Sequence, residues 1–304
     1  LQQDQLRLGD RTYLEGVARD SWRLFERSVG PHDQHLPPDN LQVLPHDMLA
    51  HRTSPTNIGM YLLSAVCARQ FGWIGTQDLL ARLEATLATL HRLERYQGHF
   101  MNWYDTETGL PMLPMYVSTV DSGNLSAHLL AVAQACLEFA SQPDDGADCQ
   151  NALQAATNRL MPLLKRRGQL RTAEREELKW LLAAPRATRR SARRDMLVGP
   201  ADEQTSRQRL QTLAQAFKTL AWEADFEFLY SPKRHLLHIG YRVAEHQLDT
   251  SFYDLLASEA RLTSLLGIAR GDLPVRHWAY LGRTFFAHKT DVGLRSWTGS
   301  MFEY

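Results

Sequence analysis

The sequence lacks a net charge, because its 34 lysine and arginine residues are balanced by 34 aspartate and glutamate residues. A general nucleic-acid-binding protein needs a basic excess to attract phosphate, so the composition argues against a role on DNA or RNA. No apolar run approaches the roughly 18 residues that a membrane-spanning helix needs. The chain begins with Leu1 and shows no signal peptide, which predicts a soluble fragment of a longer protein.

The sequence also has few residues of the kinds that build metal centres and covalent cross-links. Its three cysteines are too few and too scattered for a disulfide framework or a structural zinc site. His235 and His238 are three residues apart, but no further ligand pattern surrounds them. The glycine-rich motifs of phosphate-binding loops, dinucleotide-binding turns and hydrolase nucleophile elbows are absent. The sequence therefore predicts no metal and no cofactor.

The dominant pattern is helical. Apolar residues recur at helical spacing, as in the leucine stripe of residues 79–93, while alternation over 226–241 predicts one small β-hairpin. Two all-α architectures fit roughly ten helices of this kind: an (α/α)6-type toroid of paired helices, and a helical bundle. The long loops that recur between helices favour the toroid. The clearest predicted helices are 6–29, 58–70, 77–95, 121–139, 203–221, 252–269 and 274–287.

Four loops or helix starts mix polar side chains with aromatic ones. A sugar presents hydroxyls round its rim and C–H groups on its faces, so a glycan site needs Asp, Asn and Arg beside Trp or Tyr. The alternative is that the polar residues cap helices and turns and that the aromatic residues belong to the core. The candidate glycan-binding residues in these loops are Asp39, Asn40, Arg52, Thr53, Asn57, Asn102, Trp103, Tyr104, Asp105, Asp121 and Asn124.

Glycosyl transfer also needs carboxyl groups, one to protonate the leaving oxygen and one to attack or to activate the attacker. Glu259 lies among small and apolar residues, which raise a carboxyl pKa into the range of an acid catalyst. A plain ion pair with Arg261 is the competing interpretation. Glu303 follows Trp297 closely and is a second candidate, while Asp121 is either a substrate ligand or a helix cap.

At these loops the chain resembles the central glucoamylase-like region of bacterial cyclic β-1,2-glucan synthases. The resemblance spans nearly the whole chain, but residues 143–215 carry none of its motifs. Tyr241 and Tyr253 belong to two of the motifs and join the candidate substrate-binding residues. The motifs are LPPDN (36–40), AHRTSPTNIG (50–59), FGWIG (71–75), GHF (98–100), NWYDT (102–106), VDSGNL (120–125), FLY (228–230), IGY (239–241), YDLLASEARL (253–262) and SMFEY (300–304).

The resemblance implies a six-hairpin glycosidase-like toroid that cyclises linear β-1,2-glucan by retaining transglycosylation. It makes Glu259 one of the two catalytic carboxyls, with a leaning towards general acid/base. The partner carboxylate is expected either downstream of Tyr304 or at Glu303. We therefore expect residues 1–304 to form a single domain, truncated at its C-terminus, of a larger multidomain synthase.

The resemblance also implies partners and a location. The expected substrate is linear β-1,2-glucan, and the expected neighbours are the glycosyltransferase and phosphorylase-like regions of the same synthase, at the cytoplasmic side of the bacterial inner membrane. Two other functions stay open: a β-1,2-glucan hydrolase on the same scaffold, and a non-catalytic glucan-binding or scaffolding module. Products of transfer would identify the cyclising enzyme, and new reducing ends would identify the hydrolase.

Overall fold

The computed structural model describes residues 7–142, 146–289 and 291–304. The described chain is mostly helical, and no helix in it is long and apolar enough to cross a membrane. Its α-helices are α1 (Leu8–Ser28), α2 (Pro55–Gln70), α3 (Thr76–Leu90), α4 (Thr119–Ser141), α5 (Ala147–Lys165), α6 (Thr172–Met196), α7 (Pro200–Ala221), α8 (Arg261–Arg270) and α9 (Arg276–Tyr280).

Internal contacts divide the chain into two compact units, each assembled from three separate stretches. Unit 1 comprises Leu1–Ser28, Leu63–Thr86 and Ala133–Gln215, and unit 2 comprises Val29–Leu62, Leu87–Val132 and Ala216–Tyr304. The helices α2, α3, α4 and α7 contribute residues to both units. The single domain predicted from the sequence stays a prediction.

The regular secondary structure described in unit 1 is all helical, and α5 packs against α6 in it. Trp180, Leu181 and Ala184 of α6 form a buried cluster, with Leu160 and Leu163 of α5 packed alongside. Burying such side chains stabilises a helix pair by about 1.5–3 kcal/mol each.

All of the strands that the structure describes lie in unit 2, where they form six small antiparallel sheets. The pairings are β1–β2, β3–β6, β4–β5, β7–β10–β11, β8–β9–β12 and β13–β14. The strands are β1 (Leu41–Gln42), β2 (Met48–Leu49), β3 (Arg52–Thr53), β4 (Arg95–Tyr96), β5 (His99–Phe100), β6 (Tyr104–Asp105), β7 (Tyr116–Ser118), β8 (Tyr230–Ser231), β9 (Leu236–His238), β10 (Gly240–Arg242), β11 (Gln247–Leu248), β12 (Phe252–Tyr253), β13 (Phe285–His288) and β14 (Asp291–Leu294).

Local hydrogen bonds place two of the polar loops at helix starts in unit 2. Ser54 precedes α2, and its hydroxyl accepts the backbone N–H of Asn57 at 3.2 Å. Ser118 precedes α4, and its hydroxyl accepts the backbone N–H of Asp121 at the same distance. Serine is a favoured N-cap because it satisfies a donor that the first turn leaves unpaired. The side chains of Asn57 and Asp121 therefore project from first helical turns.

Three sequence-based expectations need correction in unit 2. The long loop after α3 contains several short strands. The described chain has six small sheets, although only one hairpin is predicted. The predicted hairpin is present, but its first strand begins at Tyr230 because Glu227–Leu229 forms a 3₁₀ turn. Two predicted helices are shorter in the structure: the one over 252–269 begins only at Arg261, and the one over 274–287 spans only Arg276–Tyr280 because Phe285–His288 forms β13. Residues 252–253 pair instead with β9, and Leu256 donates its backbone N–H to Gly282 at 3.0 Å.

Candidate active site

Asp39 in unit 2 joins the first two polar loops of the sequence. Its Oδ2 accepts hydrogen bonds from Arg52 Nε at 3.1 Å and Arg52 Nη2 at 2.9 Å. The Asn40 amide donates to the same oxygen at 2.9 Å, and the Asn57 amide donates to Oδ1 at 3.3 Å. Because a charged pair with several hydrogen bonds holds a side chain more firmly than a lone contact, Asp39 fixes the direction of Arg52.

Arg52 and Trp103 connect this group to the third loop. The Arg52 guanidinium carbon lies 4.8 Å from the centre of the Trp103 ring, within the range of a cation–π contact. The strand pairing explains the approach, since Arg52 of β3 lies opposite Asp105 of β6. The aromatic ring predicted to stack on a sugar is thus held at its face by a fixed cation.

Asn102 carries the network on to the fourth loop. With its amide oriented to satisfy both neighbours, it accepts from Trp103 Nε1 at 3.0 Å and donates to Asp121 Oδ2 at 3.0 Å. Its backbone N–H also donates to the Tyr116 carbonyl at 2.7 Å. A continuous chain of polar contacts therefore runs from Asp39 through Arg52, Trp103 and Asn102 to Asp121.

A cleft of about 480 Å³ opens beside this network. That volume lies within the range of small-molecule sites, roughly 300–1,000 Å³. Tyr116 contributes to its wall and donates its hydroxyl to Asp249 Oδ2 at 3.0 Å. The residues that line the cleft are Arg52, Asn102, Trp103, Met112, Leu113, Pro114, Tyr116, Arg242 and Glu245.

Glu259 lies in the turn immediately before α8 and is half-buried. Burial raises the pKa of its carboxyl, and the negative charges of Asp121 and Glu303 raise that pKa further. No ion pair joins Glu259 to Arg261 among the described residues, and Arg261 donates instead to the Tyr304 carbonyl at 2.8 Å. The simple ion pair considered from the sequence is therefore wrong, and the environment favours the protonated form of the carboxyl group.

A small pocket of about 180 Å³ borders Glu259. Asn124 lines it, is almost fully buried, and donates its amide to the Thr56 hydroxyl at 3.2 Å. Since Thr56 and Asn124 belong to the second and fourth polar loops, both loops reach the carboxyl group. The lining residues are Thr56, Asn124, His128, Ser258, Glu259, Arg261, Leu262 and Phe302.

Tyr253 lies between the carboxyl groups and Trp297, an exposed tryptophan. Its ring centre lies 5.5 Å from that of Trp297, whose indole N–H donates to Asp254 at 3.1 Å. Burial raises the pKa of the Tyr253 phenol to about 12, and the charges of Asp121, Glu259 and Asp249 add to that increase. The phenol therefore stays protonated beside the carboxyl groups and is available as a hydrogen-bond donor.

Glu303 differs from Glu259 in its surroundings. Its Oε1 accepts the Trp297 backbone N–H at 3.0 Å, and its Oε2 accepts the backbone N–H of Thr298 at 3.0 Å and of Ser300 at 3.1 Å. The Thr298 hydroxyl donates to Oε2 at 2.6 Å. These hydrogen bonds hold the pKa of Glu303 at about 2, that of Thr298 contributing most. The catalytic role expected of Glu303 stays a prediction, and the hydrogen bonds favour a role as the anchor of this turn.

The structure corrects the expectation for three candidate residues. Tyr104 is fully buried, accepts the Met101 N–H and donates to the Glu94 carbonyl, so it belongs to the core. Thr53 lies opposite Tyr104 and is equally buried. Tyr241 is almost fully buried, and its ring lies 5.1 Å from that of Tyr96. None of these three side chains offers a surface to a sugar.

Asp105 is a turn residue in the structure. Its Oδ1 accepts the backbone N–H and the hydroxyl of Thr108, both at 2.8 Å, and the backbone hydrogen bond is the largest cause of its lowered pKa. Asp105 therefore fits the alternative interpretation of the polar loops, in which such residues cap turns. Asp39, Arg52, Asn57, Asn102, Trp103, Asp121, Asn124 and Tyr253 are brought together in unit 2 by the contacts above.

Sequence reasoning missed Tyr116, Asp249 and Arg242 as residues beside the candidate site. Tyr116 and Arg242 lie opposite each other in the β7–β10 pair. The only local signal is that Tyr116 closes the long aromatic loop. Their nearness depends on a strand pairing across more than a hundred residues, which single-sequence periodicity does not report.

No protein-family model matches the chain. The chain is 40% identical to the cyclic β-(1,2)-glucan synthase NdvB of Rhizobium meliloti (strain 1021) over an alignment of 362 residues. The predicted resemblance to cyclic β-1,2-glucan synthases is confirmed. The alignment covers 99% of this chain but only 13% of NdvB, so the chain corresponds to one segment of that much longer synthase.

Solved structures extend the comparison to the fold. A Bacteroides fragilis protein assigned as a glucoamylase aligns with a TM-score of 0.57 at 13% identity, covering 99% of this chain and 58% of its own. The endo-β-1,2-glucanase of Chitinophaga pinensis, solved with sophorotriose and glucose, aligns with a TM-score of 0.56 at 12% identity, covering 97% of this chain and 57% of its own. The predicted fold class, that of the six-hairpin glycosidases, is confirmed.

Proposed function

We propose that this chain processes β-1,2-glucan and that it cyclises the linear chain by retaining transglycosylation. The observation that carries the proposal is the polar network from Asp39 to Asp121, whose last member raises the pKa of Glu259. The resemblance to NdvB supports the β-1,2-glucan as substrate. A site with sugar-binding side chains at one end and a carboxyl of raised pKa at the other suits glycosyl transfer.

The sugar-binding part of the proposal rests on Trp103 and Arg52. Trp103 offers an apolar ring for the C–H face of a glucose residue, and the Arg52 and Asn102 side chains offer donors for its hydroxyls. Asp39 holds Arg52 in place and adds acceptor capacity. We assign Tyr253 and Trp297, whose rings pack together, to a second sugar position closer to Glu259.

The chemical role we assign to Glu259 is general acid and then general base. In the first half-reaction its carboxyl proton moves to the departing glycosidic oxygen, that glycosidic bond breaks, and a carboxylate forms a bond to the anomeric carbon. In the second half-reaction the Glu259 carboxylate takes the proton from an incoming sugar hydroxyl, and a new glycosidic bond replaces the bond to the enzyme. Two displacements retain the anomeric configuration.

The second carboxylate must lie about 5–5.5 Å from the acid in a retaining enzyme. Asp121 and Glu303 are the described carboxylates whose charges act on Glu259. Glu303 is the candidate from the sequence, yet its oxygens already accept four close donors. We assign Asp121 to holding Asn102 and to raising the pKa of Glu259 further, and the nucleophile role of Glu303 is tested below.

Hydrolysis is the second candidate function, because the endo-β-1,2-glucanase of Chitinophaga pinensis shares the fold. The same acid and the same sugar positions serve both reactions, and only the acceptor differs: water in one, a glucan hydroxyl in the other. The non-catalytic module is the third candidate. It predicts that the chain binds glucan and that Glu259→Gln changes nothing beyond the affinity.

The setting of the reaction is also a proposal. We propose that the chain works as one part of a larger synthase, beside glycosyltransferase and phosphorylase-like regions and at the cytoplasmic side of the inner membrane. The coverage of NdvB, 13% of its length, supports a piece of a larger protein.

Product analysis tests the proposed function. The chain is incubated with linear β-1,2-glucan, and the products are followed by mass spectrometry and by a reducing-end assay. Cyclisation predicts rings, one water mass below the linear chain with the same number of glucose residues. Hydrolysis predicts shorter linear chains and new reducing ends. A folded chain that binds glucan and yields neither product would mean either that the second carboxylate lies outside residues 1–304 or that the chain is a binding module. Repeating the assay with a C-terminal extension decides between the two, because only the first predicts that rings then form.

A further inference from the structure

A second group of side chains, all potential metal ligands, lies outside the glucan site in unit 2. His32, His51 and Glu107 each present one potential ligand atom, and these three atoms lie within 4.8 Å of one another. The three residues come from three separate segments: the 3₁₀ turn Pro31–Asp33, the residue before β3, and the turn after β6. All three side chains are exposed, so an ion can reach them from solvent.

Asp33 contacts both imidazoles and holds that of His51 by a short hydrogen bond. Its Oδ1 is 2.7 Å from His51 Nδ1, and its Oδ2 is 3.5 Å from His32 Nδ1. Asp33 is buried, and the Thr106 hydroxyl donates to its Oδ1 at 2.5 Å. A carboxylate that receives one imidazole N–H fixes the tautomer and leaves the other nitrogen with a free lone pair, which is the usual outer-sphere arrangement of metal-binding histidines.

The potential ligand atoms lie close together. His32 Nε2 lies 3.4 Å from Glu107 Oε1, and one ligand atom from each of the three residues lies within 4.8 Å of the other two. Ligand atoms round a tetrahedral zinc ion stand about 3.4 Å apart, because Zn–N bonds are about 2.0–2.1 Å long. The His32–Glu107 pair already has that separation, and rotation of exposed side chains closes the remaining gap.

We propose that His32, His51 and Glu107 bind a divalent transition-metal ion, for which zinc is the best match, with Asp33 as the positioning residue. Two imidazoles and one carboxylate suit zinc, and calcium and magnesium prefer oxygen ligands alone. The ion would tie the 31–33 turn to the segments that carry Arg52 and Asp105. It would thus stiffen one wall of the glucan site without touching the reacting carboxyl groups. The ligands come from distant segments, which is why the sequence predicts no metal.

Isothermal titration of the 304-residue chain with zinc chloride tests the proposal. We expect one zinc ion per chain, and at least tenfold weaker binding in His32→Ala and in His51→Ala. His46→Ala is the matched control, because His46 is exposed in the same unit and lies outside the group. The control should bind as the wild type does. Circular dichroism of each variant establishes that the fold is retained.

Cobalt substitution separates a metal site from a plain histidine–carboxylate ion pair. Bound Co²⁺ in a four- or five-coordinate site gives strong visible absorption, and we expect that absorption in the wild type and in His46→Ala but not in the His32→Ala/His51→Ala double variant. Absence of saturable zinc uptake by the wild type, or zinc uptake and cobalt absorption that persist in the double variant, would overturn the proposal. Neither measurement depends on glucan turnover.

Discussion

The guanidinium of Arg52 lies 4.8 Å from the centre of the Trp103 ring while donating two hydrogen bonds to Asp39. One cation thus connects a fixed carboxylate with the half-buried aromatic ring that is predicted to stack on sugar. The contact joins loops that are some fifty residues apart in the sequence. It is the structural basis for placing glucan recognition in unit 2, beside the pocket of Glu259.

Replacing the stacking ring should weaken glucan binding. In a Glu259→Gln background, which prevents turnover, we expect Trp103→Ala to raise the dissociation constant of linear β-1,2-glucan about tenfold, or about 1.4 kcal/mol. Trp103→Phe should recover part of the loss. Phe285→Ala is the control, since Phe285 is an exposed ring of β13 away from the cleft. Equal affinities for Trp103→Ala and the control would assign this ring to packing alone.

Removing the Asp121 charge should change the pH dependence of transfer. Glu259 acts in its protonated form, so transfer should fall as pH rises through its pKa, which lies above 4.5. Because the Asp121 charge contributes to that increase, Asp121→Asn should move the alkaline limb of the pH profile to lower pH. A carboxyl NMR titration of Glu259 checks the same shift without turnover. A limb that stays in place or moves to higher pH would refute the coupling.

The Glu303 carboxylate should matter for stability more than for chemistry. Glu303→Ala leaves the donors of Trp297, Thr298 and Ser300 without their acceptor, so we expect a lower thermal midpoint than in the exposed control Glu227→Ala. Glu303→Gln keeps one acceptor oxygen and should lower the thermal midpoint by less than Glu303→Ala does. A normal midpoint together with abolished transfer in Glu303→Gln would instead support the nucleophile role.

The low pKa of Glu303 predicts that the turn it anchors loses stability in acid. Its folded pKa is about 2, against an ordinary value of 4.5. The stabilisation is therefore fully present above pH 4.5 and is lost as pH falls from 4.5 towards 2. Thermal midpoints of wild type and Glu303→Gln should converge over that interval; a constant difference between them would contradict the assignment.

His99 should make the protein less stable in mild acid. It is buried, with Nδ1 2.9 Å from the Ser122 hydroxyl and Nε2 2.6 Å from the Asp225 carbonyl, and burial lowers its pKa to about 4. The unfolded chain takes up the proton near pH 6.5 and the folded chain only near pH 4. The free energy of unfolding should thus fall by roughly 3 kcal/mol as pH drops from 6.5 to 4. Urea titrations should show a shallower pH dependence for His99→Asn, and an unchanged dependence for His46→Asn.

The helices were the most predictable part of the fold, because long apolar stripes report burial locally. The helix predicted over 252–269 fails in its first nine residues for a non-local reason. There the backbone pairs with distant partners, Leu255 with Gly282 and Ala257 with Ser296, and these pairings displace the helical hydrogen bonds. Helix propensity is a weak prior that such tertiary pairing overrides.

The candidate site was predictable as a set of loops but not residue by residue. Trp103 and Tyr104 are neighbours with the same sugar-binding chemistry, yet successive side chains of an extended segment point to opposite faces. Trp103 therefore borders the cleft and Tyr104 is buried in the core. Glu259 and Glu303 likewise look equivalent in the sequence, and only the folded turn at 297–300 surrounds Glu303 with donors.

The most direct test of the account is a comparison of wild type, Glu259→Gln and the exposed control Glu227→Gln on linear β-1,2-glucan, followed by mass spectrometry. We expect rings from the wild type and from Glu227→Gln. We expect no rings from Glu259→Gln, although that variant should keep its thermal midpoint and still bind glucan. Rings formed by Glu259→Gln at the wild-type rate would contradict the assignment of Glu259 as the catalytic acid.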